Sequence, residues 1–345
     1  MRFLFSYLLG LSFNQPNISL CSSWSPNAST IVGENSLSQQ YTAIFVNTQN
    51  TIYAASQDND QILIWNNKSP IPTRNISVNL SNPGSLFVTN NEDIYVDNGF
   101  SNNRVDKLSY NATISERVTG VNGSCTGLFI DSNQSLYCSL MKSHRVVKHE
   151  LEGTAKMWTS VAGTGCPGPV PNALDHPHGI YVDIDFSLYV ADTYNNRIQR
   201  FAFDKSDGST VAGFGSSIHF LLNRPTGIVL DADNYLFIVD SHNHRIVRST
   251  QDGFRCIAGC SSTPGSNPSQ LRYPYSLAFD KSGNILVTDM QNRRIQLFRL
   301  TSNPRGKSIY YVRLDIRSRT RSFLTDAILF ERRLFVLSCS KENRK

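Results

Sequence analysis

Apolar residues in this chain come in short alternating runs, separated by polar turns rich in Asn, Asp, Gly and Ser. Period-two alternation bounded by such turns predicts strands rather than helices. The runs also recur as a set. LNRPTGIVLDADNYLFIVDSHNHRIVRS at 222–249 returns as LDHPHGIYVDIDFSLYVADTYNNRIQRF at 174–201 and as LRYPYSLAFDKSGNILVTDMQNRRIQLF at 271–298. Weaker copies begin at Tyr41, Leu80 and Gly123, which makes six. Each copy supplies three strands, and a fourth short run ending in glycine stands between copies: RVTG to Gly120, SVAG to Gly163, STVAG to Gly213 and CIAG to Gly259. Four antiparallel strands repeated six times predict an all-β fold, a six-bladed β-propeller of four-stranded antiparallel blades.

The ends of the repeat indicate how the ring closes. The sixth copy stops at Phe298 with no fourth run after it, whereas STIVG at 29–33 precedes the first copy and has no blade of its own. The N-terminal strand is therefore expected to complete the last blade, giving one propeller domain over 28–300. The blade count rests partly on spacing, and seven blades is the open alternative.

The small residue after proline (PTG, PHG), the apolar strand and the Asp-x-x-x-x-Arg-Ile element of DTYNNRI, DSHNHRI and DMQNRRI resemble NHL repeats. The likeness is degenerate in the first three copies, where Leu140 replaces the Asp, Arg104 sits two residues late after Asp97, and Gln61 replaces the Arg. The resemblance implies a non-enzymatic propeller acting as a protein- or glycan-binding scaffold. It leaves two alternatives. One is an intracellular module like those of tripartite-motif proteins, binding RNA or ubiquitin-ligase substrates, although the sequence has no RING or B-box Cys/His array and no coiled-coil heptads. The other is a propeller lyase or hydrolase. The peptidylglycine-amidating lyase of this family holds zinc through histidines placed directly before the small residue in several blades. Here those positions are Thr42, Gly84, Thr126, His178, Thr226 and Tyr275; zinc needs three or more protein ligands, and no G-x-S-x-G or H-E-x-x-H element is present. No enzyme activity, metal or cofactor is expected.

The repeated Asp/Arg pairs, Asp192 with Arg197, Asp240 with Arg245 and Asp289 with Arg294, are read as shaping the loop between the second and third strands. The turns DIDFS, DADNY and DKSGN look faintly like calcium loops, but they lack the length and terminal Glu of an EF-hand and are read as Asx-turns. The connection between blades covers seven residues from Gly120 to Gly127, then lengthens to 16, 14 and 17 before Gly179, Gly227 and Ser276. These longer loops carry Phe214, His219, Phe220, Tyr273 and Tyr275, beside Tyr194, His242 and His244. Function concentrates in loops on rigid scaffolds, so Tyr194, His219, His242, His244, Tyr273 and Tyr275 are the expected ligand-binding surface. In the segment SHNHR the two histidines occupy slots filled elsewhere by Tyr194 and Asn196, or by Gln291 and Arg293, and are read as displayed side chains rather than metal ligands.

Charge and cysteines bear on compartment and partners. The net charge is +6, but residues 301–345 hold eleven Lys/Arg against four Asp/Glu, leaving −1 for residues 1–300. The basicity belongs to the tail, so nucleic acid is not an expected partner. The start, MRFLFSYLLGLSF, has the form of a secretory signal over 1–21 and is too short to span a bilayer. N-glycosylation sequons stand at Asn17, Asn27, Asn67, Asn75, Asn79, Asn111, Asn122 and Asn133. Of the seven cysteines, Cys125 with Cys138, facing across a hairpin, and Cys256 with Cys260, flanking Gly259, are the disulfide candidates. Cys21, Cys166 and Cys339 are unassigned. An extracellular or secretory location is expected, with the cytoplasm as the alternative.

Overall fold

In blade four, strands Pro177–Val182, Leu188–Asp192, Arg197–Phe201 and Ser209–Gly213 lie side by side in chain order. The computed structural model describes residues 11–33, 39–66, 69, 71–77, 80–112, 114–152, 157–217 and 220–304, and this four-stranded antiparallel plan occurs six times among them. The first strands of successive blades touch in a closed cycle, with the first strand of blade six, Pro274–Phe279, against that of blade one, Tyr41–Val46. The chain is thus an all-β, six-bladed propeller.

The last blade closes as the unmatched run predicts. Ser29–Val32 pairs antiparallel with Arg294–Phe298 as the outer strand of blade six. The local chemistry repeats that of blade four. Thr30 Oγ1 donates to Gln296 Oε1 at 2.9 Å, as Thr210 Oγ1 donates to Gln199 Oε1 at 2.8 Å. The glycine ending each strand is obligatory for two reasons. Gly213 has φ +86°, and a Cβ there would lie 2.2 Å from the Asn196 carbonyl oxygen; Gly33 has φ +127°, and a Cβ would lie 2.4 Å from the Arg294 Cβ.

In five of the six blades one carboxylate or amide builds the turn between the first and second strands. Asp183 Oδ1 accepts from the backbone N–H of Asp185 and Ser187, and Asp280 Oδ1 accepts from Ser282 and Asn284. Asn47, Asp131 and Asp231 make the same pair of bonds in their blades. These are Asx-turns.

Residues 11–27, which span the later part of the expected leader and the stretch before residue 28, pack against the ring. Phe13 stands at the axis with its ring edge-on to Phe45, Phe87, Phe129 and Tyr181, from the first strands of blades one to four. Asn14 Nδ2 donates to the carbonyls of Asn47 at 2.8 Å and Phe279 at 3.2 Å. Arg248, fully buried, donates to the carbonyls of Ser19 and Ile18 and to Asp231 Oδ2, each at 2.8 Å. Trp24 packs on Phe237 and donates from its indole to the Gly283 carbonyl, and Ser23–Trp24 pairs with Leu300–Ser302 just outside the closing strand. The segment crosses the face that carries the Asx-turns and stops the central channel at that end. Phe13, the last apolar residue of the stretch that reads as a secretory signal in sequence, serves here as a core filler.

Among the described residues the two disulfides are Cys125–Cys138, with Cα atoms 5.1 Å apart, and Cys256–Cys260, at 5.7 Å. Cys21 is disulfide-bonded as well, and Cys166 is free and exposed. No helix among the described residues is long and apolar enough to cross a membrane. Of the sequons, Asn17, Asn27, Asn75, Asn111, Asn122 and Asn133 are exposed. Asn67, Asn79, His219, Cys339 and most of the tail lie outside the described residues.

Candidate functional site

Opposite the plugged end, the loops joining second to third strands meet the connections between blades. The two are tied by backbone bonds, with Tyr194 N–H donating to Asp175 O, His242 to Asn223 O and Gln291 to Arg272 O. The Asp/Arg pairs hold this face together. In blade four, Arg197 Nε donates to Asp192 Oδ2 at 2.7 Å, and its other nitrogens reach the carbonyls of Pro169, Val170 and Ala173 in the incoming connection. Asp192 Oδ1 meanwhile accepts from Asp175 N–H. Asp240 with Arg245 (2.8 Å) and Asp289 with Arg294 (2.7 Å) repeat this, Arg294 reaching the carbonyls of Ser266, Asn267 and Gln270. The pairs therefore fasten the long connections as well as their own loop. Asn195, Asn243 and Asn292 each donate to the same aspartate, a third member of the element. Its signal was the recurring Asn two residues before the Arg.

Blade two departs from the pattern. Its loop is a four-residue helical turn, Gly99–Asn102, and Arg104 pairs with Asp106 at 2.8 Å. Asp97, fully buried, instead accepts from Gly84 and Cys125 N–H and from Ser124 Oγ. Burial pushes its pKa up to about 6, against the pull of those donors.

The expected surface residues divide by depth. Tyr194 is exposed, stacks on His176 with centroids 4.0 Å apart, and carries the Arg224 guanidinium 4.7 Å from its ring centroid. His242 and His244 lie edge-on to Tyr273 at 4.9 and 4.6 Å. Burial lowers the pKa of His242, and the Arg224 charge adds to the effect. His244 is not displayed. It is buried, its Nδ1 accepts from Tyr273 N–H at 3.2 Å, and burial lowers its pKa. The reason is backbone geometry: His244 sits at φ +55°, the left-handed residue ending its loop, and this aims the side chain at the next blade. Asn196, at φ +54°, makes the same latch to Arg224 N–H, and His144, at φ +51°, makes it to His176 N–H.

Tyr275 also turns inward, to the mouth of the channel, where its ring is edge-on to His178 at 5.7 Å. Burial, with the Asp97 charge adding to it, keeps its phenol protonated well above the usual range. His178 Nδ1 pairs with Thr193 Oγ1 at 2.8 Å, and burial brings its pKa down to about 4, so the imidazole is neutral. The channel between this mouth and Phe13 holds a cavity of about 120 Å³. The hydroxyls of Thr42, Thr126 and Thr226 on its wall donate to the carbonyls of Pro83, Pro177 and Tyr275 in neighbouring blades.

Comparison with known proteins agrees with this architecture. The NHL repeat model matches residues 174–201 and 222–248. No curated protein sequence matches the chain. Among solved structures, a protein of unknown function from Bacteroides thetaiotaomicron is 16% identical with a TM-score of 0.65, over 79% of this chain and 76% of that one. An auxiliary nutrient binding protein from the same organism is 14% identical, TM-score 0.60, over 85% and 76%. Virginiamycin B lyase from Staphylococcus aureus is 15% identical, TM-score 0.53, over 79% and 99%. Likeness at these identities is likeness of fold. With NHL repeats matched in two adjacent blades of a closed six-bladed ring, the chain is an NHL-repeat β-propeller protein.

Proposed function

We propose that this propeller is a non-enzymatic binding scaffold of an extracellular compartment, taking a protein or glycan ligand on the face of blades four to six opposite the plug. The observation that carries the reading is a pair of aromatic clusters on one face, His176 with Tyr194 and Arg224, and His242 with Tyr273, held on loops fastened by the Asp/Arg pairs. Aromatic and guanidinium groups on rigid loops supply contact area at low entropic cost. Disulfides belong to oxidising compartments, and the nutrient binding protein shares the fold. Exposed sequons fit the same compartment. The virginiamycin B lyase likeness raises an enzymatic reading, for which His178 is the one group of interest at the channel mouth. The threonines at corresponding positions in three other blades are committed to carbonyls of neighbouring blades, which favours binding over chemistry.

Photo-crosslinking tests the scaffold reading. A crosslinking amino acid in place of Tyr194 or His242 is expected to label a secreted or cell-surface partner or glycan, and one in place of exposed Phe203, in the turn between the third and fourth strands of blade four, is not. Equal labelling from all three positions, or none from 194 and 242, overturns it.

A further inference from the structure

We propose that His144, Asp175 and His176 form a binding site for one divalent first-row metal ion of the zinc class, bridging blades three and four on the face opposite the plug. His144 ends the loop before the third strand of blade three, and Asp175 and His176 end the connection into blade four. Each offers a ligand atom within 4.8 Å of the others. His144 Nδ1 lies 3.3 Å and His176 Nδ1 2.7 Å from Asp175 Oδ1. Donors around a tetrahedral zinc at about 2.0–2.1 Å stand roughly 3.3 Å apart, so small movements suffice.

The protonation pattern points the same way. His144 Nδ1 accepts from His176 N–H, so in the neutral ring that nitrogen carries a lone pair, and it faces a carboxylate oxygen at 3.3 Å. Two acceptors turned toward each other are satisfied by a cation between them. The bond to His176 N–H is long, at 3.3 Å, and is the one the ion replaces. Binding would also displace the Nδ1 proton that the neutral His176 ring shares with Asp175. The ligand frame is rigid: His176 is stacked on Tyr194, and Asp175 N–H is held by buried Asp192. Two imidazoles and one carboxylate suit zinc or ferrous iron and leave a coordination position for an outside donor.

Blade five shows what the same loops need without a metal. There Asn196, Asn223 and Arg224 occupy these three positions, and Asn196 makes the latch to Arg224 N–H. His144→Asn, Asp175→Asn and His176→Arg thus replace the ligands with residues the fold already accommodates. The chelator-treated protein titrated with Zn²⁺, and with Co²⁺ followed by its visible absorption, is expected to take up one equivalent. Each substitution should weaken that binding about 100-fold or more while leaving the metal-free melting temperature within a few degrees. A control, His242→Gln, should bind as the parent does. Failure of the parent to bind either ion in the micromolar range, or undiminished binding in the His144→Asn variant, overturns the site.

Discussion

Asp97 and His178 are displaced in opposite directions by the same cause, and each leaves its own mark on stability. Burial lowers the His178 pKa from 6.5 to about 4, so the fold prefers the neutral ring. Its contribution is complete above pH 6.5 and is lost as pH falls through that value toward 4, by about 3 kcal/mol. Asp97 is raised from 3.8 to about 6, so the fold prefers its protonated form. Its effect runs the other way: the protein gains stability as pH falls from above 6 toward 3.8. Urea denaturation of His178→Asn against the parent should show the variant gaining about 3 kcal/mol relative to the parent between pH 7 and pH 4. A constant difference across that range would mean that His178 titrates normally. For Asp97, carboxyl NMR should place the midpoint near 6. Neither displacement is legible from residue types, because both arise from burial at the channel side of a blade, which only the closed ring creates.

At the scale of the loop and the strand, the left-handed residue closing the loop in blades three, four and five is a latch to the next blade. His244→Asn copies Asn196 and should change stability by less than about 0.5 kcal/mol, whereas His244→Leu strands the Tyr273 N–H and should cost about 1–3 kcal/mol. Thermal denaturation of the two variants separates latch from display: equal destabilisation by both would mean that imidazole itself is required. The hairpin of blade three carries a different fastening. There Leu140 fills the Asp slot, and the Cys125–Cys138 bond, 13 residues apart in sequence, staples the first two strands. Replacing both cysteines by Ala should cost about 3 kcal/mol in denaturant unfolding, and no loss would mean that the staple is redundant with the sheet. Strand number, blade order and the Asp/Arg partners were legible because each recurs at fixed spacing. The latch was not. His144, Asn196 and His244 share a backbone angle rather than a side-chain type, and the position beside the Arg looked free to vary.

Across the whole molecule, sequence periodicity located the closing strand but missed the plug. Residues 11–22 lie outside every repeat, so no sibling copy revealed what Phe13, Asn14 and Ile18 contact. Phe13→Ala should destabilise the protein by about 3 kcal/mol or more, since it removes the ring around which four aromatic side chains pack. If a leader is removed, the plug requires the cut to fall before Ser12. N-terminal sequencing of protein made through a secretory pathway is expected to begin there or earlier; a folded product starting at Ser22 or Ser23 would show that the ring holds without its stopper.

The pairing of Ser29–Val32 with Arg294–Phe298, reinforced by Ser23–Trp24 on Leu300–Ser302, also has a temporal consequence. These N-terminal strands find their partners last, some 265 residues or more later, so blades one to five can assemble while the ring still has an open seam. Non-local pairing of this kind is slow to form. Linking the two ends and cutting the chain in the turn after Phe201 would move the seam to blade four, and the circularly permuted protein should regain the same ring with blade six assembled early.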